Sequence, residues 1–134
     1  MEEENGKGYG EKMNMQVFWS DVLAQRAEAL AGYFHPDATI CWHCTNERFT
    51  VAEYIRANCE YPGDWAGEIE QIFYLEGAIL TITHVYPTDR TASFHVTSIA
   101  VLKEDKILSL DEYWAEDGEA PAWRQDMKNG RKIP

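Results

Sequence analysis

At 134 residues, 45% of them apolar and 13% aromatic, the chain is long enough to bury one sizeable core and short for two. No apolar run approaches the ~18–20 residues of a membrane span, and a net charge of −11 repels phosphate backbones and anionic lipid, so neither nucleic acid nor a membrane is an expected partner. Three cysteines, an odd number, without a basic-then-apolar leader, point to reduced thiols and a cytoplasmic location.

The opening "MEEENGKGYGEK", residues 1–12, has the composition of a disordered tail. From Asn14, the residues Met15, Phe18, Val22, Arg26, Ala29, Leu30 and Tyr33 recur at spacings of three and four, which predicts helix, continuous or bent near Gln25. "HPDA", from His35, ends it, because proline disfavours helical geometry in the residue before it. "ATICWHC" then reads as a short strand. "FTVAEYIRANCEY" offers Thr50 as N-cap with Glu53 three residues on, a capping box opening a helix to about Cys59. Four strands follow, at roughly 68–75, 78–86, 91–103 and 106–114, joined by turns. The remainder is irregular, with Trp123 expected to pack onto the body. The expectation is an α+β domain over 13–124, helices on one face of a curved sheet, with tails at 1–12 and 125–134.

"CWHC" at 41–44 has the spacing of a dithiol redox site or half a zinc site. On a strand, however, Cys41 and Cys44 face opposite ways. No helix N-terminus begins there to lower a thiol pKa, and Cys59 is an unpaired third thiol. They read as small half-buried side chains.

Alternation points instead to Glu112. In "KILSLDEYW", Leu108, Leu110 and Trp114 are apolar and share its face, while Ser109 and Asp111 oppose it. In the preceding strand Phe94, Val96, Ala100 and Leu102 form one apolar row that includes Ser98, and His95 faces away. A carboxylate on an apolar face must be paired, neutralised or close to water, and burial raises its pKa toward the range of a general acid or base. The alternatives are that Glu112 reaches solvent at the strand end or pairs with Arg48 or Arg56. The four histidines show no metal-binding spacing, and "GKGYG" lies in the tail rather than between strand and helix. No metal, cofactor or nucleotide site is therefore expected. The many aromatic side chains fit a ligand cavity with stacking walls.

The order of "YFHPDATICW" before a strand, a capped helix, four long strands and a closing "KEDKILSLDEYW" hairpin, with "PAWR" after it, resembles the nuclear-transport-factor-2-like superfamily and its SnoaL-like members over about residues 14–124. The resemblance implies a cone of helices wrapped by a curved mixed sheet enclosing a pocket, and a homodimer through the sheet's outer face, here Ile99, Val101, Ile107 and Tyr113. It also bears on chemistry. The isomerases' general-base Asp falls on Trp42, their tyrosine on Phe18 and their protonated Asp on Ser98. The epoxide hydrolases' last-strand Asp falls on Glu112, but their Arg and second Asp fall on Ile79 and Thr81. Neither mechanism carries over whole. What remains is Glu112 in a pocket expected from Phe18, Ile40, Trp42, Tyr54, Thr81, Thr83, Phe94, Val96, Ser98 and Trp114.

Two functions fit: a domain binding a small hydrophobic or aromatic molecule, or an isomerase, dehydratase, cyclase or hydrolase using Glu112 as general acid or base.

Overall fold

The structure, a computed structural model, describes residues 13–134. The segment 1–12, expected as a tail, lies outside the described residues. The first helices are α1 (Met15–Leu23) and α2 (Ala27–Ala31). Asn14 caps α1 by accepting from the Val17 amide, and the helix buries Met15, Phe18, Trp19 and Val22, one stripe at helical spacing. The bend falls at Gln25, whose φ of 58° is left-handed. That residue resets the helical phase, so the expected stripe does not continue: Arg26 and Ala29 are exposed and only Leu30 of α2 is buried. Gln25 Nε2 donates to the carbonyls of Asn58 and Tyr61, and Asn58 Nδ2 donates to that of Val22. These bonds tie the bend to α3 (Val51–Cys59), whose Thr50–Glu53 capping box is present on both arms. Tyr33 and Arg26 both donate to the buried Asp21 carboxylate, at 2.6 and 2.8 Å.

Six strands form one curved mixed sheet. They are β1 (Phe34–Trp42), β2 (Glu47–Phe49), β3 (Trp65–Leu75), β4 (Ala78–Pro87), β5 (Phe94–Lys103) and β6 (Lys106–Glu116), in the order β2-β1-β6-β5-β4-β3. Only β1 and β6 run parallel. The "HPDA" segment, expected to end the helix, does so as part of β1: pairing jumps from Phe34↔Ile107 to Thr39↔Ser109, so an irregularity absorbs the proline. β1 ends at Trp42, and His43–Thr45 form a 3₁₀ turn closed by left-handed Asn46. Cys44 therefore lies on a turn rather than on the strand, and all three cysteines are free.

The inner face of the sheet meets α1, α2 and α3 through Ile40, Ile79, Val85, Val96, Ala100 and Leu110. Alternation in β6 fails at one place. The register slips between Val101 and Leu102, so Ile107 turns inward and is fully buried, while Leu108 becomes the extra residue of a bulge. Ile107 thus leaves the outer-face set; Val101 and Tyr113 stay exposed there. The last helix is α4 (Ala122–Asp126), and its Trp123 stands 63% exposed instead of packing down.

Candidate functional site

Strand register assembles the site. Trp42, Glu112, Ser98 and Thr81 are successive partners across β1, β6, β5 and β4, so all four point to the inner face. Glu112 is 2% exposed. Its Oε2 accepts from the Ser98 hydroxyl at 2.7 Å, and its Oε1 accepts from the indole N–H of Trp42 at 3.1 Å and of Trp114 at 3.3 Å. Among the described residues no arginine pairs with it: Arg56 bonds Glu60, one turn away on the surface. Burial pushes the Glu112 pKa up, and the three hydrogen bonds pull part of the way back. Three of the carboxylate's roughly four lone-pair sites are thus occupied. Tyr54, wholly buried nearby, is pushed up by burial and by the Glu112 charge.

Above this row opens a hollow of about 320 Å³. Trp19, Val22 and Leu23 of α1 form one wall, with Gln25 at the bend. Trp42, Cys44, Thr45 and Glu47 form a second, with the Glu47 carboxylate accepting from the Thr45 hydroxyl, Asn58 and Tyr61 form a third, and Trp65, Val85, Phe94 and Trp114 complete it from the sheet. Of the expected pocket residues, Trp42, Phe94 and Trp114 line this hollow. Phe18, Ile40, Tyr54, Thr81, Val96 and Ser98 are core beneath it, and Glu112 lies behind the Trp42 and Trp114 rings rather than on the surface. Thr83 borders a neighbouring cleft of about 380 Å³ between α1 and β3, which shares Trp19, Leu23 and Trp65 with the hollow. Its hydroxyl is the one buried side-chain polar atom without a partner among the described residues. A larger depression, about 630 Å³, runs along β2 and α3. It is shallow and lined largely by charged side chains, so it lacks the apolar enclosure of a small-molecule site.

All four tryptophans around the hollow have their N–H groups engaged by the protein. Trp19 donates to Thr81, Trp42 and Trp114 to Glu112, and Trp65 to the Pro62 carbonyl. With their donors occupied, these indoles can offer the hollow only carbon and π surface. Trp19, Tyr61 and Trp65 were not assigned to the pocket from sequence. Periodicity marks apolar residues but does not tell a wall from the core behind it.

The outer sheet face carries a polar cluster. His84 and His95 stack at 4.9 Å between ring centres. His84 Nδ1 and Glu68 Oε1 are 3.1 Å apart, and His95 Nδ1 and Asp117 Oδ1 2.6 Å. The Asp117 bond raises the His95 pKa, and Tyr86, donating to Glu68, holds that carboxyl low.

No protein-family model matches the sequence, and no curated protein matches it. Solved structures do. A protein assigned as a ketosteroid isomerase from Kribbella flavida superposes with a TM-score of 0.74 at 20% identity, over 90% of this chain and 87% of its own. A protein of unknown function from Burkholderia xenovorans, described as nuclear-transport-factor-2-like, gives 0.72 at 18%, over 90% and 92%. An epoxide hydrolase of Mycobacterium tuberculosis gives 0.64 at 11%, over 75% and 79%. The chain has the nuclear-transport-factor-2-like fold, the one its sequence resembles. Among the described residues no helix is long and apolar enough to cross a membrane.

Proposed function

We propose that the chain is a small-molecule-binding domain whose indole-walled hollow takes a neutral, apolar, ring-bearing ligand. The observation that carries this is the engagement of all four indole N–H groups within the protein, which leaves the hollow carbon and π surface and reserves Glu112 for internal bonds. Its volume, about 320 Å³, lies near the lower end of ligand pockets, roughly 300–1,000 Å³, and suits a bicyclic molecule. A cytoplasmic location and pairing of two copies through the exposed outer face around Val101 and Tyr113 accompany this reading. Sedimentation as a monomer at micromolar concentration would remove the dimer. Titration with 2-tetralone, a neutral bicyclic ketone, followed by tryptophan fluorescence, is expected to give saturable quenching that weakens at least tenfold in Trp65→Ala. Linear quenching in both proteins would end the binding reading.

A second reading rests on the raised pKa of Glu112: the carboxyl exchanges a proton with the bound molecule once Trp42 or Trp114 swings aside. Exchange of the α-protons of 2-tetralone in D₂O, followed by NMR, separates the two. Catalysed exchange lost in Glu112→Gln with binding retained would support chemistry; binding without catalysed exchange leaves the domain a binder.

A further inference from the structure

We propose that the outer face of the sheet carries a metal site for a zinc-type divalent ion, formed by Cys41 Sγ, His43 Nε2 and an Asp111 carboxylate oxygen. The fold brings these ligands together from two strands. Cys41 and Asp111 are register partners in the parallel β1–β6 pairing, so both point outward, away from the indole-walled hollow. The chain then leaves β1 through the 3₁₀ turn, which carries His43 over Asp111 with Nε2 and Oδ1 2.7 Å apart. Tyr113, two residues beyond Asp111, stacks on the His43 ring at 4.3 Å and an interplanar angle of 8°. That stacking restrains the tilt of the imidazole ring.

The three donor atoms all lie within 4.8 Å of one another. Zinc bonds of about 2.3 Å to sulfur and about 2.0–2.2 Å to nitrogen and oxygen place ligand atoms somewhat closer than that. Side-chain rotations of about an ångström supply the difference, and they are open to groups that are only partly buried. The donor set itself selects the ion. Calcium and magnesium take oxygen ligands, whereas one thiolate, one imidazole and one carboxylate suit a borderline ion such as zinc. Three protein ligands leave a fourth position, open to water or an external ligand in the unpaired chain. Binding displaces two hydrogens: the Cys41 S–H proton goes to solvent, and the hydrogen that His43 Nε2 donates to Asp111 gives way to the metal, the neutral imidazole then carrying its proton on Nδ1. The "CWHC" spacing thus matters through its Cys and His two apart, with the third ligand 70 residues away in sequence; the second cysteine, Cys44, is not part of the site.

The test uses the full chain in reduced, metal-free form. Cobalt(II) serves as a spectroscopic probe and zinc(II) as competitor, in the protein itself and in a Cys44→Ser/Cys59→Ser variant whose one thiol is Cys41. One equivalent of cobalt with a thiolate charge-transfer band in both proteins, displaced by zinc, is expected. Cys41→Ser should abolish the band. His43→Ala and Asp111→Asn should each weaken zinc binding by roughly 100-fold or more, beyond the usual 10–100-fold for outer-shell partners. Circular dichroism on each variant confirms folding. Absence of the band in the Cys44→Ser/Cys59→Ser variant overturns the site. So does zinc binding unchanged in His43→Ala and Asp111→Asn, which would mean adventitious binding to the acidic surface.

Discussion

Ser98 and Glu112 face each other across β5 and β6, and the Ser98 hydroxyl donates to Glu112 Oε2 at 2.7 Å where neither residue is more than 2% exposed. A hydrogen bond to a buried carboxylate is among the stronger ones a protein makes, because the low-dielectric setting removes the competition from water. Ser98→Ala should cost about 1–3 kcal/mol in urea unfolding at neutral pH and move the Glu112 pKa further up. The same substitution in a Glu112→Gln background should cost clearly less. Equal losses in the two backgrounds would show that the serine acts by packing alone.

The pH dependence of stability follows from the direction of the Glu112 shift. A carboxyl whose folded pKa lies above its unfolded one binds more protons folded than unfolded throughout the interval between them. Its contribution to stability therefore falls as pH rises through that interval and stays at its least favourable above it. Glu112→Gln keeps an acceptor for the two indoles and removes the titration. Its melting temperature should exceed that of the unmodified protein at pH 8, with the gap closing as pH falls toward the ordinary carboxyl range. Asp21, Glu68 and Asp117 have lowered pKa values and lose stability as pH falls, but they do so alike in both proteins and cancel in the comparison. A gap that does not change with pH would refute the shift.

Alternation made the inward face of β5 and β6 legible, because Val96, Ser98, Ala100, Leu110 and Glu112 keep a strict period of two. Composition alone did not reveal the bulge at Leu108, since Ile107 and Leu108 suit a core equally well and only the slip at Val101–Leu102 decides between them. The capping box of α3 was legible because both its halves are local. The walls of the hollow were not. Trp65 and Tyr61 reach it from either side of the "PGD" turn, and nothing local links them to Trp19. The Cys41–His43–Asp111 cluster was hidden for the same reason: its parts meet only through a parallel pairing of the first strand with the last.

Gln25 holds a left-handed backbone and, through two hydrogen bonds to Asn58 and Tyr61, joins the α1–α2 bend to the end of α3. Its side chain also lines the hollow. Gln25→Ala keeps the unfavourable backbone and leaves both carbonyls without this donor, so a loss of about 1–3 kcal/mol is expected. Gln25→Gly relaxes the backbone by roughly 1 kcal/mol and should lie between Gln25→Ala and the unmodified protein. Equal stability of the two variants would place the whole effect in the side chain.

Gly67 lies opposite Val85 in the antiparallel β3–β4 pairing, two residues after Trp65 enters the wall of the hollow. A Cβ at Gly67 would collide with the backbone carbonyl of His84. A backbone atom in a paired strand cannot swing aside as a side chain can, so one of the two strands must shift. Gly67→Ala should cost about 1–3 kcal/mol, the range of overpacked cores, and displace Trp65 with β3. Gly118→Ala adds its methyl group to open space and should fall within about 0.5 kcal/mol of the unmodified protein. Urea unfolding gives the stabilities, and the tryptophan emission of folded Gly67→Ala reports on the wall. Unchanged stability in Gly67→Ala would mean that the β3–β4 pairing has slack at this position, and that the wall of the hollow does not depend on the missing side chain.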